Sequence, residues 1–167
     1  MNIFVLDLHP VVAARMQHDM HVIKMANESV QMLSTALSVH AGSWAIMKPT
    51  HLHHPCNVWA RETRSNWEWL KAHALALCDE YAHRWPGRRR AFHDALEVLD
   101  GSSIPAGELT PFALAMPEIY RTACPVRSYQ TYYAAEKMLP AGRLARWTNR
   151  GMPEFLFPKT GAFALAS

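Results

Sequence analysis

The chain has 167 residues, of which 50% are apolar and 19% are charged. This length fits one domain with a hydrophobic core, and the balance excludes a disordered polar chain. The formal charge of +3 is mildly basic, which is compatible with a nucleic-acid partner without being diagnostic of one. We find no apolar stretch long enough to cross a bilayer and no signal-peptide pattern at the start.

The compartment is indicated by the cysteines. Cys56, Cys78 and Cys124 lie far apart, without the paired spacing of metal ligands. This usage is typical of reduced thiols in a cytoplasmic protein. We therefore expect a cytoplasmic protein with no membrane partner, no cofactor and no metal.

The chain begins with an apolar run, residues 1–8, that predicts either one strand or an extended arm packed on the core. Pro10 is tolerated at the first position of a helix and predicts a short helix there. Residues 18–39 then predict the central helix of the fold. Most of its circumference is apolar, which is typical of a buried helix. Asp19 is its candidate N-cap and Gly42 its candidate left-handed C-cap.

A narrow polar seam interrupts this apolar helix. Its members recur at steps of three and four residues, which places them on one face: His21, Lys24, Glu28, Gln31 and Thr35. Burying unpaired charges is costly, so two interpretations follow. Either Lys24 and Glu28 form an internal ion pair, or the seam lines a cleft that carries out chemistry. In the second case Glu28, His21, Lys24 and the adjacent Asp19 are candidate catalytic residues, and Gln31 would contact substrate.

A histidine-rich loop follows the central helix. His51, His53 and His54 precede Pro55, and clustered histidines can bind a metal ion. The alternative is that His54 alone points into the cleft and contacts substrate. No CxxC or HExxH pattern accompanies these histidines.

Ser65 and Glu68 match a capping box at the start of a second long helix, which Pro86 and Gly87 end. One strip of this helix collects six residues: Asn66, Leu70, His73, Leu77, Glu80 and Arg84. The pair Glu80 and Arg84 is of the i,i+4 type that is usually exposed.

The C-terminal third is predicted to be rich in loops, because prolines recur from 105 to 125. A further helix is predicted over residues 126–138 and carries Tyr129. Arginines 143, 146 and 150 flank Trp147, which suggests either a nucleic-acid contact through charge and stacking or a packed tryptophan with surface arginines. Residues 152–167 are predicted to form a tail. Altogether we predict an all-α, single-domain bundle over 1–167 with one central buried helix.

Several motifs occur in a fixed order: MNIFVLD, Asp19-x-His21-x-x-Lys24-x-x-x-Glu28-x-x-Gln31, His54-Pro55-x-x-x-Trp59, Asn66-x-x-Trp69 and Glu80-Tyr81-x-x-Arg84. Over nearly the whole chain this set resembles a family of small proteins encoded by tailed bacteriophages. It is more distantly similar to the phage-type pyrimidine-dimer DNA glycosylases of the endonuclease V fold. Those proteins are all-helical and carry an Asp-x-His near the start of the first long helix, with a catalytic Glu seven residues after the His.

The resemblance implies base excision from DNA. In that family the N-terminal α-amine attacks C1′ of the damaged nucleotide, and the Glu, here Glu28, stabilises the sugar and moves protons. The motif residues His54, Asn66, Glu80 and Arg84, together with Tyr129, are then candidate substrate contacts. The family removes its initiator Met, whereas Asn2 is of a size that leaves Met1 in place, so Lys24 is the alternative amine. Asn27 and Gln31 stand where the family has arginines.

Three other functions remain open from the sequence. One is a phage DNA-hypermodification transferase that acts on a modified thymine or nucleotide. Another is a non-enzymatic protein that binds a host factor through exposed aromatic residues. The last is metal-dependent hydrolysis, with ligands drawn from the histidines His18, His21, His51, His53 and His54.

Overall fold

The computed structural model describes residues 1–157. Six α-helices span Pro10–Met16 (α1), Asp19–Ala41 (α2), Pro55–Ala60 (α3), Arg64–Arg84 (α4), His93–Glu97 (α5) and Pro125–Glu136 (α6). Short 3₁₀ turns occupy Glu118–Tyr120, Pro140–Gly142 and Glu154–Leu156. Residues 1–157 contain no strand, which confirms the predicted all-α, single-domain fold. Most of the predicted tail, residues 158–167, lies outside the described residues.

Helix α2 is the centre of the bundle, as its apolar circumference predicts. It packs chiefly against α4, and α1 packs on α4 beside it. The helix ends at Gly42, whose φ of 69° is the left-handed conformation expected of a C-cap. Its start differs from the prediction, because the N-cap is His18 and not Asp19. The His18 ring accepts a hydrogen bond from the backbone amide of His21. His18 thus has the capping role that was predicted for the Asp19 carboxylate, one residue later in the sequence.

Helix α4 presents its predicted strip to the core. Every member of that strip is buried, including the polar Asn66 and His73 and the charged Glu80 and Arg84. The expectation of an exposed Glu80–Arg84 pair is therefore wrong. The N-cap is also shifted, since the Thr63 hydroxyl accepts from the Asn66 amide in place of the predicted Ser65–Glu68 box.

The first six residues form the extended arm that was one of the two predicted possibilities. Ile3, Val5 and Leu6 are completely buried. The Asn2 side-chain oxygen accepts from the Ile3 and Phe4 amides at 2.8 and 3.2 Å, which satisfies donors that a strand would pair with a neighbour. Phe4 has a φ of 39°, so the arm turns sharply there. This arm brings the amino end of the chain against α2.

The C-terminal third wraps around the bundle, and α6 fixes it there. Tyr129 and Tyr133 on α6 are completely buried. Farther along, the Trp147 indole donates to the Met16 carbonyl at 2.9 Å, which supports the packed-tryptophan interpretation of this segment. Among residues 1–157, none of the helices is both long and apolar enough for a membrane span.

Candidate active site

The polar seam of α2 borders a cleft of about 160 Å³, which we call the Glu28 cleft. Three of the predicted seam residues, His21, Lys24 and Glu28, contribute to its wall. The remaining lining residues come from the amino-terminal arm, from α2 and from the α6 region: Met1, Asn2, Phe4, Met25, Tyr132 and Lys137. The Lys24–Glu28 pair therefore lies beside a solvent-reachable depression and is not sealed in the core.

Glu28 is held at the base of this cleft by the amino-terminal arm. Its Oε2 accepts a hydrogen bond from the Asn2 amide at 2.9 Å and lies 3.5 Å from the α-amino nitrogen of Met1. Its Oε1 lies 3.6 Å from Lys24 Nζ. The Glu28 side chain is 12% exposed, whereas that of Lys24 is 66% exposed. One half-buried carboxylate thus has an amine on each side and remains reachable from solvent.

His21 is fixed in one neutral form by Tyr133. The Tyr133 hydroxyl accepts from the His18 amide at 3.0 Å and lies 2.9 Å from His21 Nδ1. Among residues 1–157, Nδ1 is the only acceptor within hydrogen-bond distance of the Tyr133 hydroxyl, so we assign the hydroxyl proton to Nδ1 and the ring proton to Nε2. The pKa of His21 is lowered to about 2, chiefly by burial and also by the charges of His18, Lys137 and Lys24. His21 is therefore uncharged at neutral pH, and its Nε2–H is a hydrogen-bond donor.

The charges around the cleft do not cancel. The α-amine of Met1, Lys24 and Lys137 supply three cations, against the single carboxylate of Glu28. An excess of positive charge in a concave site attracts anionic ligands, of which phosphates are the commonest. The cleft itself is smaller than the roughly 300–1,000 Å³ of a pocket for a drug-sized ligand. It suits one sugar or base of a larger molecule that extends outside it.

His54 lies near this cleft but does not line it. Its ring accepts from the Cys56 amide at 3.2 Å and so caps α3. Burial lowers the pKa of His54, the Met1 amine lowers it further and Glu28 raises it, so all three groups are neighbours. Gln31, one turn beyond Glu28, is half-buried.

Asp19, Glu80 and Arg84 form a separate group, which we call the Arg84 cluster. Arg84 donates to Glu80 at 2.8 Å and to Asp19 at 2.9 Å. Thr148 donates to both Asp19 oxygens, and Arg150 makes bonds of 2.9 to 3.1 Å to both Glu80 oxygens. Asp19 was predicted to act with Glu28, but the structure places it with Arg84, at the junction of α2, α4 and residues 148–150.

Asn66 and Tyr129 hold loops in place. The Asn66 amide group bonds to the Trp59 carbonyl and to both the amide and the hydroxyl of Thr110, which uses its oxygen and both of its protons. The Tyr129 hydroxyl donates to the Ala113 carbonyl at 2.6 Å and accepts from the Ala115 amide at 3.3 Å. Neither side chain lines the Glu28 cleft, so the structure brings neither of them to the predicted catalytic residues.

The histidine loop does not converge on one point. His51 and His53 are exposed, and His54 is occupied as a helix cap. Within residues 1–157, no three His, Cys, Asp or Glu side chains come together in a way that could hold a metal ion.

Several residues of the cleft were not anticipated from the sequence. Asn2, Phe4 and Lys137 reach Glu28 and His21 only through tertiary contacts, and Tyr133 reaches His21 from α6. The sequence shows three tyrosines close together, Tyr129, Tyr132 and Tyr133. Of these, Tyr132 lines the cleft and Tyr133 bonds to His21.

Comparison of the chain with protein-family models, with curated proteins and with solved structures gave no match. The geometry of the cleft is therefore the basis for assigning a function.

Proposed function

We propose that the protein is a DNA-base-processing enzyme of glycosylase type, with Glu28 as the acid–base residue and an adjacent amine as nucleophile. The observation that carries this proposal is the placement of Glu28 between two amino nitrogens, at 3.5 and 3.6 Å, in a solvent-reachable cleft. The resemblance to phage-type pyrimidine-dimer glycosylases points in the same direction.

The chemistry needs an amine, a proton acceptor and a donor. Glu28 takes a proton from the neighbouring ammonium, which frees the nitrogen lone pair for attack on C1′ of the nucleotide. As the N–C1′ bond forms, the bond from C1′ to the base breaks and its electron pair leaves with the base. The departing base takes up the proton that Glu28 accepted from the ammonium. Glu28 then takes a second proton from the bound nitrogen and passes it to the ring oxygen O4′ as the C1′–O4′ bond breaks, which yields a protonated imine between the enzyme and the sugar.

Two amines satisfy this geometry. The α-amine of Met1 is enclosed by the arm, and Lys24 Nζ is exposed on the opposite side of the carboxylate. Lys24 belongs to the predicted seam and its side chain is 66% exposed, so a nucleotide can reach its amine. This favours Lys24 as the nucleophile, with the Met1 amine as a second positive charge beside Glu28.

His21 would assist as a donor. A neutral Nε2–H at the cleft can hydrogen-bond to a sugar or base oxygen as negative charge develops on it. The small size of the cleft requires that the nucleotide leave the base stack, as it does in enzymes that act on bases in a duplex.

The direct experiment is base release from duplexes that carry one pyrimidine dimer or one other defined lesion. Glu28→Gln keeps the size of the side chain and removes its charge, so we expect release to fall by about 10²–10⁴-fold. Glu108→Gln changes an equally charged but exposed residue and serves as the matched control. Equal activity of wild type and Glu28→Gln would remove Glu28 from the mechanism. Mass spectrometry of the nucleosides in the same reaction separates base release from group transfer.

Trapping with borohydride identifies the nucleophile. Reduction fixes the imine as a stable bond, and peptide mass spectrometry then locates it at Met1 or at Lys24. We expect the bond at Lys24, and we expect Lys24→Gln to give no trapped product. A bond at Met1 would reassign the nucleophile, and the absence of any trapped product alongside base release would show that water attacks instead.

A further inference from the structure

A second depression of about 410 Å³ lies beside the Glu28 cleft, and we call it the arginine hollow. It is lined by residues from the start of α2 and from the segment after α6: His18, Asp19, Met20, Pro140, Arg143, Leu144 and Arg146. The rings of His18 and His21 stack with centroids 4.0 Å apart. Because His18 lines the hollow and His21 lines the cleft, the two depressions adjoin through this ring pair.

The hollow is positively charged. Arg143 and Arg146 are exposed, and neither forms an ion pair within residues 1–157. The one carboxylate in the lining, Asp19, is already neutralised by Arg84 and by two bonds from Thr148. The hollow also receives the amino end of α2, a helix of 23 residues whose dipole favours anions there.

His18 adds an independent sign of a ligand. Its side chain lies in the hollow wall and is only 1% exposed. Nδ1 accepts from the His21 amide at 3.3 Å, which assigns the ring proton to Nε2. Nε2 has no partner within normal hydrogen-bond geometry. Burial lowers the pKa of His18 to about 4, and Asp19 and the nearby Lys137 backbone counter part of that lowering, so the ring is neutral at pH 7. A buried donor without a hydrogen-bond partner is costly, so its retention calls for an explanation.

We propose that the arginine hollow binds a phosphate group of the nucleotide next to the one in the Glu28 cleft. Arg143 and Arg146 would pair with the phosphate oxygens, and His18 Nε2–H would complete the hydrogen bonds. Pro140 and Leu144 would contact the attached sugar or base. This deepens the proposed function, on which it rests for the identity of the neighbouring nucleotide.

The test is the binding of a fluorescent DNA duplex by protein that also carries Glu28→Gln, so that no turnover occurs. The double variant Arg143→Gln/Arg146→Gln removes two exposed charges at the hollow. Arg88→Gln/Arg127→Gln removes two exposed charges elsewhere and is the matched control. We expect the hollow variant to bind at least about 10-fold more weakly and to lower the slope of log K against log salt by about 1 to 2. We expect the control to change binding by less than about 2-fold.

Equal weakening in both double variants would overturn the proposal, since it would show diffuse attraction and no defined site. A second measurement avoids substituting the buried histidine. The Nε2 resonance of His18 in ¹⁵N spectra should move when the duplex binds to protein with intact arginines and should stay fixed in the hollow variant. An unmoved His18 resonance in the protein with intact arginines would also overturn it.

A competition experiment distinguishes the two possible sources of the phosphate, a single nucleotide and the DNA backbone. Displacement of the duplex by a deoxynucleoside monophosphate would support a site for single nucleotides. Resistance to it, with displacement by unlabelled strand, would support a backbone phosphate. If the hollow binds phosphate but the protein releases no base from any lesion, the phosphate site is supported and the glycosylase function is refuted. The failure of one proposal can therefore be distinguished from the failure of the other.

Discussion

Two pairs of opposite charge have the same i,i+4 spacing on the two long helices, and their environments differ. Lys24 and Glu28 on α2 are four residues apart, as are Glu80 and Arg84 on α4. The first pair is loose, at 3.6 Å, and its lysine is 66% exposed. The second is tight, at 2.8 Å, and its arginine is fully buried.

The difference lies in how completely each group is satisfied. Arg84 bonds to two carboxylates and to the Arg15 carbonyl, and Glu80 receives three further bonds from Arg150. Both oxygens of Glu80 are therefore engaged by arginine side chains, which stabilises its buried charge. Glu28 has one strong hydrogen bond, two more distant cations and an open cleft in front of it. The proposed function therefore rests on a carboxylate, Glu28, that has fewer hydrogen bonds than Glu80 and lies beside solvent.

The largest expected effect comes from removing the cation of each pair. Arg84→Met leaves the buried Glu80 and Asp19 short of donors, and we expect it to lower the free energy of unfolding by about 3–5 kcal/mol. Lys24→Met breaks only an exposed pair, and we expect a change within about 0.5 kcal/mol. Urea denaturation of both variants measures the contrast. Similar losses in the two proteins would mean that the Arg84 cluster does not stabilise the fold as described.

Removing the acids gives a smaller contrast. We expect Glu80→Gln to cost about 2 kcal/mol and Glu28→Gln less than about 1 kcal/mol, because Glu80 is the more buried and the more fully bonded. Burial raises the pKa of Glu80, but hydrogen bonds from Arg150 and Arg84 outweigh it and leave the pKa below its ordinary value.

The sign of this shift fixes a pH dependence. A carboxylate whose pKa is lowered by folding stabilises the protein above its unfolded pKa of about 4.3, and that contribution is lost as pH falls through the folded value. The difference in unfolding free energy between wild type and Glu80→Gln should therefore shrink from pH 6 to pH 3. A difference that grows on acidification would contradict the network of bonds around Glu80.

A smaller effect on base release than that of Glu28→Gln is expected at Tyr133, which links the histidine stack to α6. Tyr133→Phe removes the donor to His21 Nδ1 and the acceptor for the His18 amide, at a cost of about 1–2 kcal/mol in stability. We expect base release to fall by less than 10-fold, because the His21 ring stays stacked on Phe4 at 4.5 Å. The specific readout is the ¹⁵N spectrum of His21, in which the proton should no longer be confined to Nε2. An unchanged tautomer would show that Tyr133 does not set it.

Much of the fold follows from local patterns. The apolar circumference of α2, the glycine that ends it and the Pro86–Gly87 stop after α4 all predict features that the structure contains. Helix caps were less predictable, since His18 and Thr63 took positions for which Asp19 and Ser65 were also suitable. Several side chains near a helix start can accept the same amide, and packing chooses among them.

The site was predictable only along α2. Helical spacing alone places His21, Lys24 and Glu28 together, and the cleft contains all three. Asp19 lies beside that seam in sequence, yet Arg84 draws it into another cluster. Asn2, Phe4, Tyr132 and Lys137 enter the cleft from segments distant in sequence, and helical periodicity carries no information about such contacts.

The amino-acid sequence by itself determined that the chain is helical, that α2 is central and that one face of α2 holds a base, a cation and an acid, because these properties depend on residues within a few turns of each other. Tertiary structure alone decided that the Lys24–Glu28 pair faces a cleft while the Glu80–Arg84 pair is buried. Both pairs have the same spacing, so the difference lies in what packs against them. The amino-terminal arm and the α6 region leave space beside Glu28. In contrast, Arg84 and Glu80 are in contact with side chains from other segments: Asp19 bonds to Arg84 and Thr148, and Arg150 bonds to Glu80.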